Sequence, residues 1–352
     1  MQEKLNRLYI SFYEHVKRIL ISRNARAFVK RNLVQKVILT KQEKKQAIEF
    51  YKPYLKIDPV FHAFYKEKTG EFQVENLPVD VYINRVDEYF NNRNASHVLD
   101  NKCLYSRLFP GISTLEVIAS RMGGFWYDGQ MNIITKQQWI KELQKEEAVF
   151  LKAATDSFGG NGVKFVEMKN LDELEAFLKI QKGDLVVQRP FIQHPSFAKL
   201  NPSSVNTLRI LSLLTQEGVA FYSSFVRMGV GKTKVDNAAQ GGIFCGLRED
   251  GSLKDTAYRL SGESFKSHPD NHLVFDGYKL VGYDKAKELI KKAHPLIPTF
   301  RMISWDIVID EQGEAHMLEA NFSKGGVGAY QLSNGPLFGK DTKKILDEVF
   351  GK

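Results

Sequence analysis

Cysteine is almost absent: the 352 residues hold only Cys103 and Cys245. Two cysteines so far apart supply neither a disulfide framework nor a zinc cluster, and a reducing cytosol is the default compartment for such a chain. Long apolar runs are missing too. No stretch of about 18 apolar residues occurs, which rules out a membrane-spanning helix. There is no internal repeat, no low-complexity tract and no convincing Ser-His-Asp or Cys-His set for nucleophilic catalysis. What remains is ordinary globular composition, 43% hydrophobic and 26% charged, which argues against wholesale disorder. The length suggests two or three domains or subdomains and suffices for a sizeable core.

The net charge is +9, but it is unevenly spread. Residues 1–40 carry nine basic side chains and only two acidic ones, Glu3 and Glu14, so seven of the nine excess charges fall there. The basic balance therefore describes one segment, and nucleic-acid binding by the body is not implied. Leu5, Leu8, Tyr9, Phe12, Val16, Ile19 and Leu20 recur at helical steps. Two readings fit this basic helix: it lies on an anionic membrane surface, or it packs its apolar stripe on the body with its charges solvated.

Residues 41–95 read as mainly helical, with a polar boundary at Asn91, Asn92, Arg93 and Asn94. Beyond them α and β alternate. Strands are expected over 148–152, 163–167, 185–188, 207–214, 219–226, 303–309 and 315–320, and helices over 171–180 and 284–293.

Chemistry concentrates in three places. Lys152 ends a strand and is followed by a loop holding Gly159, Gly160 and Gly162, then another strand. Such a loop can turn backbone N–H groups toward phosphate oxygens, and lysine adds a point charge; an ordinary hairpin loop is the plain alternative. A Rossmann fingerprint fails, because Phe165 occupies the third glycine position; a kinase glycine loop fails, because here the lysine comes first. Gly231-Lys232-Thr233 mimics half a P-loop, but Val226 stands where its first glycine is required. In the second place, a strand delivers Arg227 into a polar loop with Asn237, Gly241 and Gly242. Arginine can clasp phosphate or carboxylate with paired hydrogen bonds, and a long solvated connection is the alternative.

The third place is a hairpin. With Gln312-Gly313 as a two-residue loop, Asp306 faces Glu319, and Asn321 shares their side of the sheet. Two carboxylates so close repel unless a cation or proton intervenes. With an amide oxygen they make a hard oxygen site suited to Mg²⁺ bridging phosphates; solvated acids on a surface hairpin are the alternative.

In this order the pieces resemble the ATP-grasp superfamily. Gln188-Arg189-Pro190-Phe191-Ile192-Gln193-His194-Pro195, Ser204-Val205-Asn206-Thr207-Leu208-Arg209-Ile210 and Trp305-Asp306 are similar to its sugar-transfer-associated family, over about residues 97–335. The resemblance implies an α+β fold in which two α+β subdomains clasp ATP, preceded by a mainly helical region. The segments are then 1–95, 96–200 and 201–352. Lys102 and Lys152 match lysines that contact ATP phosphates, and Gly159, Gly160 and Gly162 a mobile lid. Gln188, Phe191 and Ile192 would border the adenine. Many relatives carry glutamate at this hinge and again near the ribose, where Gln188 and Gln193-His194 stand here. Arg227, Asn237, Gly241 and Gly242 would hold the γ-phosphate and the group that receives it, making Arg227, Asn237 and Lys152 the catalytic set. Asp306, Glu319 and Asn321 match Mg²⁺ ligands. Arg209 either pairs with a core carboxylate or faces the nucleotide.

The activity implied is an ATP- and Mg²⁺-dependent ligase. It would activate a carboxylate as an acyl phosphate and join it to an amine or hydroxyl on a sugar or polysaccharide precursor. Bacterial surface-polysaccharide biosynthesis would be the setting, in the cytoplasm or at the inner face of its membrane. A sugar kinase on the same scaffold is the alternative, and a noncatalytic nucleotide-binding protein a third reading.

Overall fold

The computed structural model describes residues 2–35, 38–155, 162–231, 236, 241–323 and 325–352. Gly159, Gly160 and Asn237 lie outside the described residues.

The basic segment forms one long helix, α1 (Gln2–Asn32). A capping box between Thr40 and Glu43 starts α2 (Lys41–Tyr51), and left-handed Gly70 ends α3 (Val60–Thr69). Further helical turns run from Val79 to Phe90. Among the described residues no helix is long and apolar enough to cross a membrane.

Two antiparallel sheets follow. The first contains β1 (Val117–Met122), β2 (Phe125–Asp128), β3 (Ile133–Ile134), β4 (Ala148–Ala153), β5 (Val163–Glu167) and β6 (Leu185–Gln188), in spatial order β3-β2-β1-β6-β4-β5. Helices Lys136–Leu143 and Leu171–Ile180 cover one face, placing Trp139, Leu143, Leu174 and Leu178 against Val149, Leu151 and Val187. The second contains β7 (Thr207–Thr215), β8 (Gly218–Met228), β9 (Ile243–Leu247), β10 (Leu253–Tyr258), β11 (Ser264–Phe265), β12 (Met302–Ile309) and β13 (Ala315–Asn321), in order β11-β10-β9-β8-β7-β12-β13. All seven expected strands form, as do the expected helices at 171–180 and 284–293.

The second sheet is buried on both faces. Leu208, Ile210, Val226, Trp305 and Ile307 pack with Leu289 and Ile290 of helix Tyr283–Ala293. Leu211, Leu213 and Phe225 point the other way. They share a core with Val29, Tyr51, Phe61, Tyr65 and Val81 of the N-terminal helices and with Tyr330 of helix Val327–Asn334. Trp305 is wholly buried, donating its indole N–H to Ser212 Oγ at 2.7 Å.

The β12–β13 hairpin corrects one expectation. Its turn has three residues rather than two: Asp310 N donates to Glu314 O at 3.0 Å, and Gly313 adopts φ 80°. Near the tip this shifts the register by one, pairing Ile309 with Ala315 and Ile307 with Met317. A β-bulge with Leu318 as the extra residue then restores it, so Asp306 does face Glu319. The outer half of the hairpin is also tied to the chain around the first sheet. Met317 N donates to Ser113 O, and His194 N to Ile309 O, both at 2.8 Å.

Candidate active site

One face of the second sheet carries a row of charge. Glu319, Asp306 and Arg209 sit directly opposite one another on β13, β12 and β7, and Thr207 is opposite Arg227 of β8. Strand alternation sets the row: residues 208, 226, 305 and 307 face the apolar core, so their neighbours emerge on the other side. Asp306 has no solvent exposure. Arg209 grips its carboxylate through Nε to Oδ1 and through Nη2 to Oδ2 at 2.7 Å. Arg227 Nη2 reaches Oδ2 at 3.2 Å. Burial pushes the Asp306 carboxyl up, but the two arginines outweigh it and hold it below the usual carboxylate range. Of the two roles open to Arg209, the structure shows the pairing with a buried carboxylate.

Two residues of this cluster escaped the sequence reading. Asp236 is buried 3.3 Å from Arg227 Nε. Thr207 donates its hydroxyl to Asp236 Oδ2 at 2.5 Å and accepts from Arg227 Nε at 2.9 Å. Burial raises the Asp236 carboxyl above its ordinary value despite Arg227 and Thr207. The signal available was the apolar–polar alternation of β7, which puts Thr207 on the side of Arg209.

The first sheet and a turn hydrogen-bonded beside it bring two cations to the same place. Lys102 opens a short turn whose backbone N–H donates to Ala154 O at 3.1 Å, and its Nζ lies 2.9 Å from Glu319 Oε1. Lys152, at the end of β4, donates to Gln188 Oε1 at 2.9 Å. Burial pulls the Lys152 ammonium down to about 8; the charge of Lys102 adds to this, while Glu319 and Asp236 oppose it. Gly162 closes the adjoining loop with φ 78°, and a Cβ there would sit 3.0 Å from that of Ala153.

The other sequence candidates are placed as follows. Gln188 is buried at the end of β6; Phe191 meets His316 edge-on at 5.7 Å; Ile192 is 63% exposed. Gly241 is exposed with φ 91°, its carbonyl accepting from Arg259, and Gly242 is buried just before β9. Gln193 bonds to Asn201, Ser204 and Asn206 through both ends of its amide, which fills its capacity for a ribose. His194 caps the short helix Pro195–Ala198. Asn321 donates its amide to Ser304 O at 3.0 Å.

Among the described residues no three His, Cys, Asp or Glu side chains gather as a metal cluster. The candidate donors here are two carboxylates and an amide. Such an all-oxygen set fits Mg²⁺, which keeps much of its coordination for waters and phosphates. A carboxylate offers about four lone-pair positions. Arg209 takes two of those of Asp306, Arg227 a third, and Asn321 also hydrogen-bonds it, so a cation bound here would displace one of these contacts.

A family model for sugar-transfer associated ATP-grasp proteins matches residues 83–346. No curated protein matches the sequence. Solved structures with similar chains include N5-carboxyaminoimidazole synthase from Aspergillus clavatus with ADP and aminoimidazole ribonucleotide, at 14% identity over 72% of this chain and 53% of that one, TM-score 0.42. The VanG D-Ala:D-Ser ligase from Enterococcus faecalis is 13% identical over 73% of this chain and 61% of its own, TM-score 0.41. The ATP-grasp ligase PsnB, complexed with a precursor variant, Mg and ADP, is 12% identical over 74% and 61%, TM-score 0.44. The chain thus spans little more than half of the length of these relatives. With three quarters of its residues inside the family model, and the paired sheets and charged row inside that span, the chain belongs to the sugar-transfer associated ATP-grasp family.

Proposed function

We propose that the chain is an ADP-forming ligase that activates a carboxylate with ATP and joins it to an amine or hydroxyl of a sugar or polysaccharide precursor. The observation that carries this reading is the convergence of Lys152 from one sheet, and Lys102 from a turn beside it, with Arg227, Asp306 and Glu319 from the other sheet. In this reading, Lys102 and Lys152 neutralise the ATP phosphates. Gly159, Gly160 and Gly162 would cover them, and Gln188, Phe191 and Ile192 would border the base. Arg227, with Asn237, Gly241 and Gly242, draws off negative charge as the γ-phosphoryl group moves. Thr207 and Asp236 hold the Arg227 guanidinium in place, and Arg209 positions Asp306. Asp306, Glu319 and Asn321 would hold Mg²⁺, which supplies charge neutralisation across phosphate oxygens.

The substrate carboxylate oxygen attacks the γ-phosphorus, the bond to the β,γ-bridging oxygen breaks, and ADP leaves. The acceptor nitrogen or oxygen then attacks the acyl carbon of the acyl phosphate, loses a proton, and phosphate departs. No side-chain nucleophile is required.

The setting proposed is the cytoplasmic side of the membrane, with peripheral contact through residues 1–40. The observation behind that contact is that α1 leaves Phe12, Val16, Ile19 and Leu20 exposed beside its basic residues.

The test is incubation with ATP, Mg²⁺ and panels of acids, amino acids and sugar nucleotides, scored by mass spectrometry. A joined product with one ADP and one phosphate released per coupling supports ligation. A phosphorylated acceptor without free phosphate overturns it in favour of a kinase.

A further inference from the structure

A cavity of about 590 Å³ opens between α1, the turn at Leu55 and Lys56, and the helical turns at 80–85. None of the residues assigned above to ATP or Mg²⁺ lines it. Its wall carries Arg18, Arg23, Arg26, Lys30, Lys56 and Arg85 against a single carboxylate, Asp80.

Three separate stretches of chain bring cations to the rim of one hollow, where Arg23, Lys30, Lys56 and Arg85 are exposed. Arg18 is paired with Glu88 at 2.8 Å, and Arg26 with Asp80 at 3.2 Å and, through Nε, with Asp58 at 3.9 Å. Among the described residues, Arg23, Lys30, Lys56 and Arg85 have no ion pair or hydrogen-bond partner. On α1, Arg26 and Lys30 are four residues apart and Arg23 and Arg26 three, spacings at which like charges disfavour a helix. The wall also holds buried polar atoms without a hydrogen-bond partner: Nε of Arg18, Nε of Arg26 and Oδ1 of Asn84. Buried donors are nearly always satisfied in folded proteins, so Arg18 Nε calls for an acceptor, and Arg26 Nε has only the Asp58 carboxylate beyond hydrogen-bond distance.

The volume is that of a small-molecule site. Guanidinium forks and ammonium groups suit phosphate oxygens, and a concave wall of one sign concentrates its field. The excess of cations over carboxylates exceeds what a monoanion balances. We infer that this cavity binds a multiply charged phosphate anion of the diphosphate class, at a site independent of the proposed ATP chemistry. The same chemistry is offered by a soluble diphosphate and by a phospholipid headgroup.

The experiment uses the full chain. Inorganic pyrophosphate binding is measured by calorimetry, and sedimentation with vesicles containing cardiolipin, whose headgroup carries two phosphates, is measured against phosphatidylcholine vesicles. Both are repeated on a triple variant, Arg23→Gln, Lys30→Gln and Arg85→Gln, and on Lys152→Ala. The triple variant is expected to lose affinity about tenfold or more, while Lys152→Ala keeps the pocket's share of binding. Loss of pyrophosphate binding in the triple variant supports a soluble ligand. Loss confined to cardiolipin vesicles supports a headgroup in the same pocket. Arg85→Gln alone leaves α1 untouched and serves if the triple variant melts early; about a threefold loss is expected. Binding of neither probe by the wild type, or binding indifferent to these substitutions, overturns the site.

Discussion

Lys102 Nζ lies 2.9 Å from Glu319 Oε1, so a lysine anchored beside the first sheet is paired with a carboxylate of the second. That contact also reaches Lys152, because Glu319 is one of two carboxylates that keep the Lys152 ammonium from falling further. Glu319→Gln is therefore expected to lower the Lys152 ionisation below about 8. NMR titration of ¹³C-methylated lysines would show it. An unchanged Lys152 titration would mean that the two groups do not sense each other.

Asp306 is wholly buried between two arginines. Removing one partner of a buried ion pair strands the other and costs about 3–5 kcal/mol. Asp306→Ala should lose stability on that scale in urea unfolding. A double variant that also changes Arg209 to Met should recover part of the loss, because apolar groups of similar volume replace buried charges well. Equal loss in both variants would contradict the view that the stranded guanidinium is the cause.

The pH dependence of Lys152 has opposite signs for folding and for ATP. Its folded value of about 8 lies below the ordinary lysine value. Between the two, the unfolded chain binds more protons, so this group adds stability as pH rises through that window. Polyphosphate favours the charged ammonium, so ATP binding near pH 8 should take up protons, and affinity should fall at higher pH. Calorimetry in buffers of different ionisation enthalpy measures the uptake, which Lys152→Met should abolish. Uptake that persists in this variant would place the titrating group elsewhere.

Gly162 has φ 78°, and a Cβ there would meet that of Ala153 at 3.0 Å. Gly162→Ala meets both a left-handed backbone and a tight contact, and about 1–2 kcal/mol of stability should be lost. Thermal melting measures it; no loss would show that the loop relaxes freely.

Much of this was legible in the sequence because it rests on period and spacing. The strands bearing Lys152, Arg227, Asp306 and Glu319 are largely apolar runs that each carry a single Lys, Arg, Asp or Glu. The strands that escaped notice are less regular. β1 buries Ser120 and Arg121, the latter satisfied by the Gln181 and Gly183 carbonyls, and β10 places Lys254, Asp255 and Thr256 in its middle. The hairpin shows a second limit. The loop length was misread by one residue, yet Asp306 meets Glu319 because the bulge at Leu318 restores the register. Nothing in local pattern announces a bulge, which depends on what the strand must pack against. Thr207 and Asp236 were missed for a related reason: their importance comes from sharing Arg227, a tertiary fact.

The main-chain bonds from Ser113 and His194 to the outer half of the hairpin carry a mechanical consequence. This hairpin belongs by pairing to one sheet and is fastened at its tip to the chain around the other. An opening motion between the two sheets must therefore turn about this tip or surrender those bonds. Near such a pivot the lever arm is short. Asp306 and Glu319 would travel little, while groups further from it would sweep through larger arcs.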